Sequence, residues 1–328
     1  MSRQNLCTTL FALLFLASTI SAADKPTLLE ARKIWDRGAH NAFTDLVRHN
    51  NRWYCVFREA KGHVSPEGKI RVLTSNDGKK WTSAALLARA KSDLRDPKIN
   101  VAPDGRLMVL GAASWHEKTA KVNRQPMVWF SKDGRAWSEG VEVAEANFWL
   151  WRVTWHKGVA RGIGYGRRGN NRQIRLYESR DGVDYKTLVS NLFDTGYPNE
   201  TSIIYQKNDT ALCLLRRDGT PNTGLLGTSK PPYTKWTWKD LGVRIGGPHM
   251  IQLPDGRLLA ATRLYDKPVR TALSWLDPKT GTLKEFLTLP SGGDTSYPGL
   301  VFHEGVLWVS YYASHEGKTS IYLARVKL

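Results

Sequence analysis

The chain has 328 residues, 41% of them hydrophobic, and sets 48 Lys and Arg against 30 Asp and Glu for a net charge of +18. That hydrophobic share fits a folded globule and excludes an intrinsically disordered chain. After residue 23 no stretch stays apolar for about twenty residues, which excludes a bundle of membrane-spanning helices.

The first element is the apolar run "LFALLFLASTI", preceded by Arg3 and followed by the small residues Ser21, Ala22 and Ala23. This is the pattern of a secretory leader over residues 1–23, too short for a membrane span, and it predicts a secreted or periplasmic protein made of residues 24–328. Outside the cell a basic surplus attracts acidic glycans or lipid headgroups rather than nucleic acid. Cys7 leaves with the leader, so Cys55 and Cys213 remain.

Next comes one β-run, "LLEARKIW", and then a series of hairpins: "FTDLVRHNNRWYCVF", "PKINVAPDGRLMVLG", "WRVTWHKGVARGIGY", "TSIIYQKNDTALCLL", "HMIQLPDGRLLAATR" and "PGLVFHEGVLWVSYY". Their turn residues Asn51, Gly105, Gly158, Asn208, Gly256 and Gly305 recur at a near-constant period of about 50 residues. After each hairpin a third strand follows, such as "IRVLTS", "PMVWFS", "IRLYES" or "TALSWLD", then a turn and a fourth strand. Apolar and polar residues alternate in these runs, and none has a period of 3.6. Four antiparallel strands repeated at this spacing are propeller blades. The last unit ends on "SIYLARVKL" and lacks a strand, which "LLEARKIW" can supply, closing the ring and removing a bare sheet edge. The expected fold is therefore all-β: one domain, a six-bladed propeller closed by its N-terminal strand. Cys55 and Cys213 then fall in opposite blades, beyond disulfide reach, and two free thiols are expected.

One turn is written three times: "SNDGKKW" at residues 75–81, "SKDGRAW" at 131–137 and "SRDGVDY" at 179–185. It resembles the Asp-box of the sialidase (neuraminidase) superfamily, whose catalytic domain is a six-bladed propeller. The resemblance implies a structural turn between third and fourth strands, on the face opposite the active site. The residues suit that role: Asp caps backbone N–H groups, Gly takes a positive φ, and the aromatic packs between strands.

In such a blade the starts of first strands and the ends of second strands share one face. Asp45, Asp96, Trp151, Arg152, Glu200, His249 and Tyr297 stand at first-strand starts. Counting from the turns places Arg58, Arg216 and Arg263 at equivalent second-strand ends, with Tyr165 and Tyr312 in two other blades. Three arginines on one rim would make a bidentate anion clamp. Sialidases hold a substrate carboxylate with an arginine triad that this trio resembles, and they use a Tyr nucleophile polarised by a Glu. The resemblance puts Tyr297 and Glu200 in those roles. A neutral phenol also avoids the repulsion that a carboxylate nucleophile would meet at an acidic sugar.

Two stretches depart from the family's pattern. Its first strand carries Arg-Ile-Pro where this chain has "NAFTDLV" with Asp45. Its acid/base Asp is missing from the loop "FREAKGHVSPEGKIR", which offers Glu59 and His63; Asp96, after Arg95, is a third candidate. No metal-ligand spacing, phosphate-binding Gly loop or Ser nucleophile elbow is present, and no cofactor is expected. The reading is a monomeric exo-glycosidase of sialidase type for an acidic terminal sugar. Two alternatives stay open: a propeller that binds acidic glycan without cleaving it, and a glycosidase or lyase for uronic-acid or sulfated glycans with His63 or Tyr297 as proton carrier.

Overall fold

Six hairpins set the architecture, and each turns on a residue that tolerates a left-handed backbone: Asn51 (φ 56°), Gly105 (82°), Gly158 (75°), Asp209 (63°), Gly256 (90°) and Gly305 (75°). In the fourth hairpin that conformation falls on Asp209 instead of Asn208. The computed structural model describes residues 25–116 and 121–328; the expected leader, residues 1–23, lies outside the described residues.

Strand β1 (Thr27–Trp35) comes first in the chain and is used last in the fold. The first blade is β2 (His40–His49), β3 (Arg52–Ala60), β4 (Lys69–Ser75) and β5 (Thr82–Leu87). The second is β6 (Asp93–Val101), β7 (Leu107–Ser114), β8 (Arg124–Ser131) and β9 (Val141–Glu142), and the third β10 (Trp149–His156), β11 (Val159–Arg168), β12 (Asn171–Ser179) and β13 (Lys186–Phe193). The fourth is β14 (Pro198–Tyr205), β15 (Ala211–Arg217), β16 (Leu225–Ser229) and β17 (Trp236–Asp240), and the fifth β18 (Ile245–Gln252), β19 (Leu258–Leu264), β20 (Arg270–Asp277) and β21 (Thr282–Thr288). The sixth contains β22 (Thr295–His303), β23 (Val306–Ala313) and β24 (Ser320–Lys327), and its outer strand is β1, from Thr27 opposite Lys327 to Trp35 opposite Ile321. The N-terminal strand thus closes the ring, and the last sheet has no missing edge.

The core lies between neighbouring sheets. Val56, Ile70 and Val72 of the first blade meet Leu94, Ile99 and Val109 of the second, while Leu214 and Leu226 of the fourth meet Met250 and Leu258 of the fifth. Truncating one of these leucines or isoleucines, or Met250, to Ala would cost about 2–5 kcal/mol. Cys55 and Cys213, in β3 and β15, are buried and unpaired, as the blade count requires.

The thrice-repeated turn joins third to fourth strands. Asp77 Oδ1 accepts from Lys79 N (2.7 Å) and Lys80 N (2.9 Å), Gly78 adopts φ 66°, and Trp81 Nε1 donates to Gly78 O (3.0 Å). These backbone donors hold the Asp77 carboxyl down at about 2. Asp133 and Asp181 repeat the cap. A fourth, degenerate copy occurs in the fourth blade, "SKPPYTKW", where Tyr233 takes the positive φ (65°) and Trp236 Nε1 donates to its carbonyl (2.9 Å).

Candidate active site

Every inner strand slips register near its start. The slips lie between Ala42 and Asp45, Arg95 and Lys98, Leu150 and Arg152, Pro198 and Thr201, Gly246 and His249, and Ser296 and Gly299. A bulge re-aims the residue it contains, and here the bulges hold Phe43, Asp96, Trp151, Glu200, Gly247 and Tyr297. Phe43, Asp96, Gly247 and Tyr297 have φ between 51° and 63°. Asp96, Gly247 and Tyr297 each precede a proline, whose missing N–H leaves no donor orphaned in the broken ladder. Gly247 admits no side chain, because a Cβ there would lie 2.8 Å from the Tyr297 ring.

Tyr297 and Glu200 meet across the ring. Tyr297 Oη donates to Glu200 Oε1 at 2.5 Å, Arg216 Nη1 donates to both oxygens at 3.0 and 2.8 Å, and Gly247 N donates to Glu200 Oε2 at 2.8 Å. Burial, reinforced by the Glu200 charge, pushes the Tyr297 phenol well above its ordinary range, while Arg216 and Arg263 pull the other way. The phenol is therefore neutral at rest, with a proton acceptor in contact. Its ring is held by Phe43, Trp151 and Tyr312, with centroids 5.0, 5.6 and 5.8 Å away.

Above this pair lies a cavity of about 510 Å³ lined by Arg95, Asp96, His63, Glu200, Tyr297 and the aromatics Phe43, Trp115, Trp149 and Tyr165. Asp96 is 5% exposed, and its Oδ1 has no hydrogen-bond partner among the described residues. Burial, opposed by Arg95 and Lys98 and seconded by Glu200, raises its carboxyl to about 6. Asp96 can thus carry a proton near neutral pH. Trp149 and Tyr165 stack at 5.9 Å and 14°, offering an apolar wall. A wider depression of about 960 Å³ opens on the opposite face among hairpin turns and holds no comparable convergence of charged groups.

The three-arginine rim does not form as expected. Arg263 leans over the Tyr297 ring (5.4 Å) and donates to Thr295 O, Asp294 and Tyr312. Arg216 is engaged by Glu200, Tyr297 and Asp218. Arg58, however, is 0% exposed and spends its fork on Asp93 at 2.7 and 2.9 Å, because "KSDLRDP" supplies a buried carboxylate from the next blade. Arg95 takes the place on the cavity wall that Arg58 was expected to fill, packed on Phe43 at 5.0 Å. Glu59 is likewise removed from the acid/base candidates, since it accepts from Trp35 and Arg71 at the blade's outer side.

Asp45, Arg152 and His249 sit below the cavity. Asp45 accepts from Arg152 (3.0 and 3.2 Å) and from Ile99 N (2.9 Å), and His249 reaches the Pro298 carbonyl at 3.0 Å. Trp151, 1% exposed, is ring packing beside Tyr297 and so forms no open sugar wall. Lys98, which sequence reasoning missed, completes this layer: it is 2% exposed, 4.9 Å from the Trp151 ring, and held down at about 8 by burial and by Arg152. Its alternation within "DPKINV" was the available signal.

His63, about half exposed, points Nδ1 at Asp294 Oδ2 (2.7 Å), and His40 Nε2 approaches the same oxygen at 3.4 Å. These three ligand atoms lie within 4.8 Å of one another, close enough for a metal ion, yet Arg263 and Tyr312 already donate to the other Asp294 oxygen. Burial alone would raise the Asp294 carboxyl, but hydrogen bonds from His40, His63 and Tyr312 hold it well below the usual range. The cluster joins residues far apart in sequence, so spacing could not reveal it.

No protein-family model matches the chain, and no curated protein does so either. Solved structures do. A Dyadobacter fermentans protein of unknown function superposes with a TM-score of 0.82 at 20% identity, over 93% of this chain and 99% of that one. An α-L-arabinanase of Penicillium chrysogenum, complexed with arabinobiose, gives 0.72 at 14% over 91% and 98%. The Trypanosoma rangeli sialidase with the inhibitor DANA gives 0.69 at 14%; 88% of this chain matches 55% of that longer one. In fold, this chain is a sialidase-like six-bladed propeller, which superposes on both the sialidase and the arabinanase structure.

Proposed function

We propose that the protein is a retaining exo-glycosidase acting on an acidic terminal sugar, with sialidase-type hydrolysis as the leading activity. The observation that carries this reading is the buried Tyr297–Glu200–Arg216 cluster, with 2.5 Å from phenol to carboxylate, in a cavity that also holds Asp96. Tyr297 Oη attacks the anomeric carbon as its proton passes to Glu200; the bond to the leaving oxygen breaks as Asp96 protonates it. Water then attacks the same carbon, giving a proton to Asp96, and Tyr297 leaves with the proton that Glu200 held. Arg216 stabilises the phenolate, and Arg263 with Arg95 faces the sugar's carboxylate. The sialidase structures among the neighbours support this reading, and the arabinanase marks the same ring as a host for other glycosidases. The first inner strand, with "NAFTDLV" and no arginine where the sialidase pattern has Arg-Ile-Pro, argues for a carboxylate held differently from theirs.

A second reading rests on His63, whose Nδ1 contacts Asp294 while its ring borders the cavity. Such an oriented imidazole suits proton abstraction beside a uronate carboxylate, which would make the protein a lyase. Residues 1–23 are proposed to be an export leader, which would place the enzyme outside the cytoplasm. A screen of sialosides, uronic-acid glycans and sulfated glycans decides among these. Release of a free acidic sugar with retained anomeric configuration supports the glycosidase. An ultraviolet-absorbing unsaturated uronate supports the lyase, and binding with no cleavage leaves a glycan-binding propeller.

A further inference from the structure

The catalytic cavity does not end at its aromatic wall. It continues, through Asn123 and Arg124, into a second hollow of about 250 Å³ whose walls include Arg167 and Arg172. The three guanidiniums come from different strands: Arg124 opens β8, Arg167 is the last residue but one of β11 and Arg172 lies in β12. Most arginines of this chain that border the ring are neutralised, as Arg58 is by Asp93 and Arg152 by Asp45. Among the described residues, none of these three forms an ion pair with a carboxylate.

Their contacts are neutral instead. Arg124 Nε donates to Asn123 Oδ1 (3.0 Å) and its guanidinium lies 5.6 Å from the Trp149 ring. Arg172 donates to Tyr197 Oη (2.5 Å) and lies over the Tyr197 and Tyr165 rings at 4.2 and 5.2 Å, with its buried Nε left unpartnered. Aromatic and amide groups orient the guanidiniums without cancelling their charge. Burial lowers Arg124; Tyr165 and Tyr197 oppose that effect, while the charges of Arg172 and Arg167 add to it, so the three guanidiniums repel one another. An anion relieves that repulsion.

We propose that this hollow is a second anion subsite that receives a carboxylate or sulfate on the sugar next to the scissile bond. The direction follows from Asp96: the group that protonates the leaving oxygen stands in the second blade, and the hollow lies beyond it, between the second and third blades. The preferred substrate is then an oligosaccharide acidic at two neighbouring sugars. This rests on the glycosidase reading for its orientation, but the anion site itself does not depend on cleavage.

Two measurements separate the proposals. The first is calorimetric binding of tetragalacturonate, which carries carboxylates only, of a sulfated galactan tetrasaccharide, which carries sulfates only, and of neutral galactotetraose. The unmodified protein should bind at least one charged probe with affinity that falls steeply with salt. Arg167→Gln and Arg172→Gln should each weaken it about tenfold or more, the scale of one charge-assisted hydrogen bond. The second is kinetics: on a cleaved acidic oligosaccharide the two variants should raise KM, while kcat and turnover of a nitrophenyl glycoside of the terminal sugar stay unchanged. The subsite is overturned if neither charged probe binds, if the double variant binds them as tightly as the unmodified protein, or if galactotetraose loses as much. Charge-dependent binding that the variants abolish, without cleavage of any probe or of any glycan in the screen above, would keep the subsite and remove the catalytic reading.

Discussion

Tyr297→Phe removes one oxygen atom from the protein and keeps the ring. That oxygen donates to Glu200 at 2.5 Å and accepts from Arg216 at 3.0 Å. After the change Glu200 still accepts from Arg216 at 2.8 Å and from Gly247 N at 2.8 Å, so no buried charge is stranded. The ring contacts with Phe43 and Trp151 also persist. Stability should therefore fall by about 1 kcal/mol, which for a chain of this size lowers Tm by about 2 °C. Turnover loses its attacking atom and should drop by about three orders of magnitude or more, equivalent to about 4 kcal/mol of barrier. The assay pairs thermal unfolding with initial rates on the best acidic glycoside from the screen. A variant that keeps turnover within tenfold of the unmodified protein refutes a Tyr297 nucleophile. A rate loss accompanied by a Tm drop on the order of 10 °C would instead assign Tyr297 to packing.

Three further predictions follow from the geometry. Burial raises the Asp96 carboxyl to about 6 in the folded chain, so its protonation favours folding below about pH 4 and that contribution is lost as pH rises through about 6; Asp96→Asn should then be more stable than the unmodified protein at pH 7.5, by up to about 3 kcal/mol, and equal to it at pH 4. Urea unfolding at both values checks this, and an equal difference at both would refute it; the same variant should spare nitrophenyl glycosides more than natural substrates. Arg58→Met removes the fork that the buried Asp93 accepts and leaves it Arg95 at 3.2 Å and His116 at 3.1 Å; it should cost about 3 kcal/mol in urea unfolding, whereas a cost below about 1 kcal/mol would mean that those two partners suffice. Arg263→Lys replaces a fork by a point charge and should weaken an acidic ligand about tenfold while leaving its neutral analogue unmoved; equal losses on both would point to a folding role.

The fold was legible because its signals are local. Turn residues at a constant period, alternation within runs, and a lone strand at each end of the chain suffice to count blades and close the ring. The site was legible where its residues also start or end strands, as Glu200, Tyr297, Asp96, Arg216 and Arg263 do. It was illegible where a partner arrives from elsewhere in the chain. Nothing in "FREAKG" says that Arg58 is claimed by Asp93, or that Glu59 faces Arg71. The His40, His63 and Asp294 cluster joins the first blade to the sixth, and Arg124 meets Arg172 only once two blades are packed. Register from a turn predicts which level a side chain occupies; it does not predict what already occupies that level.

The inner strands explain why this ring can carry chemistry at all. A regular strand would alternate its side chains between the two faces of its sheet, feeding the inter-blade core. The bulge breaks that alternation once per blade and at one level, so that Phe43, Asp96, Glu200 and Tyr297 are freed to line the cavity without disturbing the packing below them. Just beneath, where register resumes, Asp45, Lys98, Arg152 and His249 form a buried polar layer whose Asp45–Arg152 pair spans the axis from first to third blade. That layer keeps the bottom of the cavity charged and water-excluded, which strengthens electrostatic interactions around Tyr297 and Glu200. Exchanging residues at the bulge level therefore changes chemistry at little cost to the fold, whereas exchanging them one level down unpairs buried charges. A propeller built this way can keep its architecture while the bulge residues change, and the proposed glycosidase therefore places substrate choice on Phe43, Asp96 and Tyr297 and not on the repeated Ser-Asp-Gly turns.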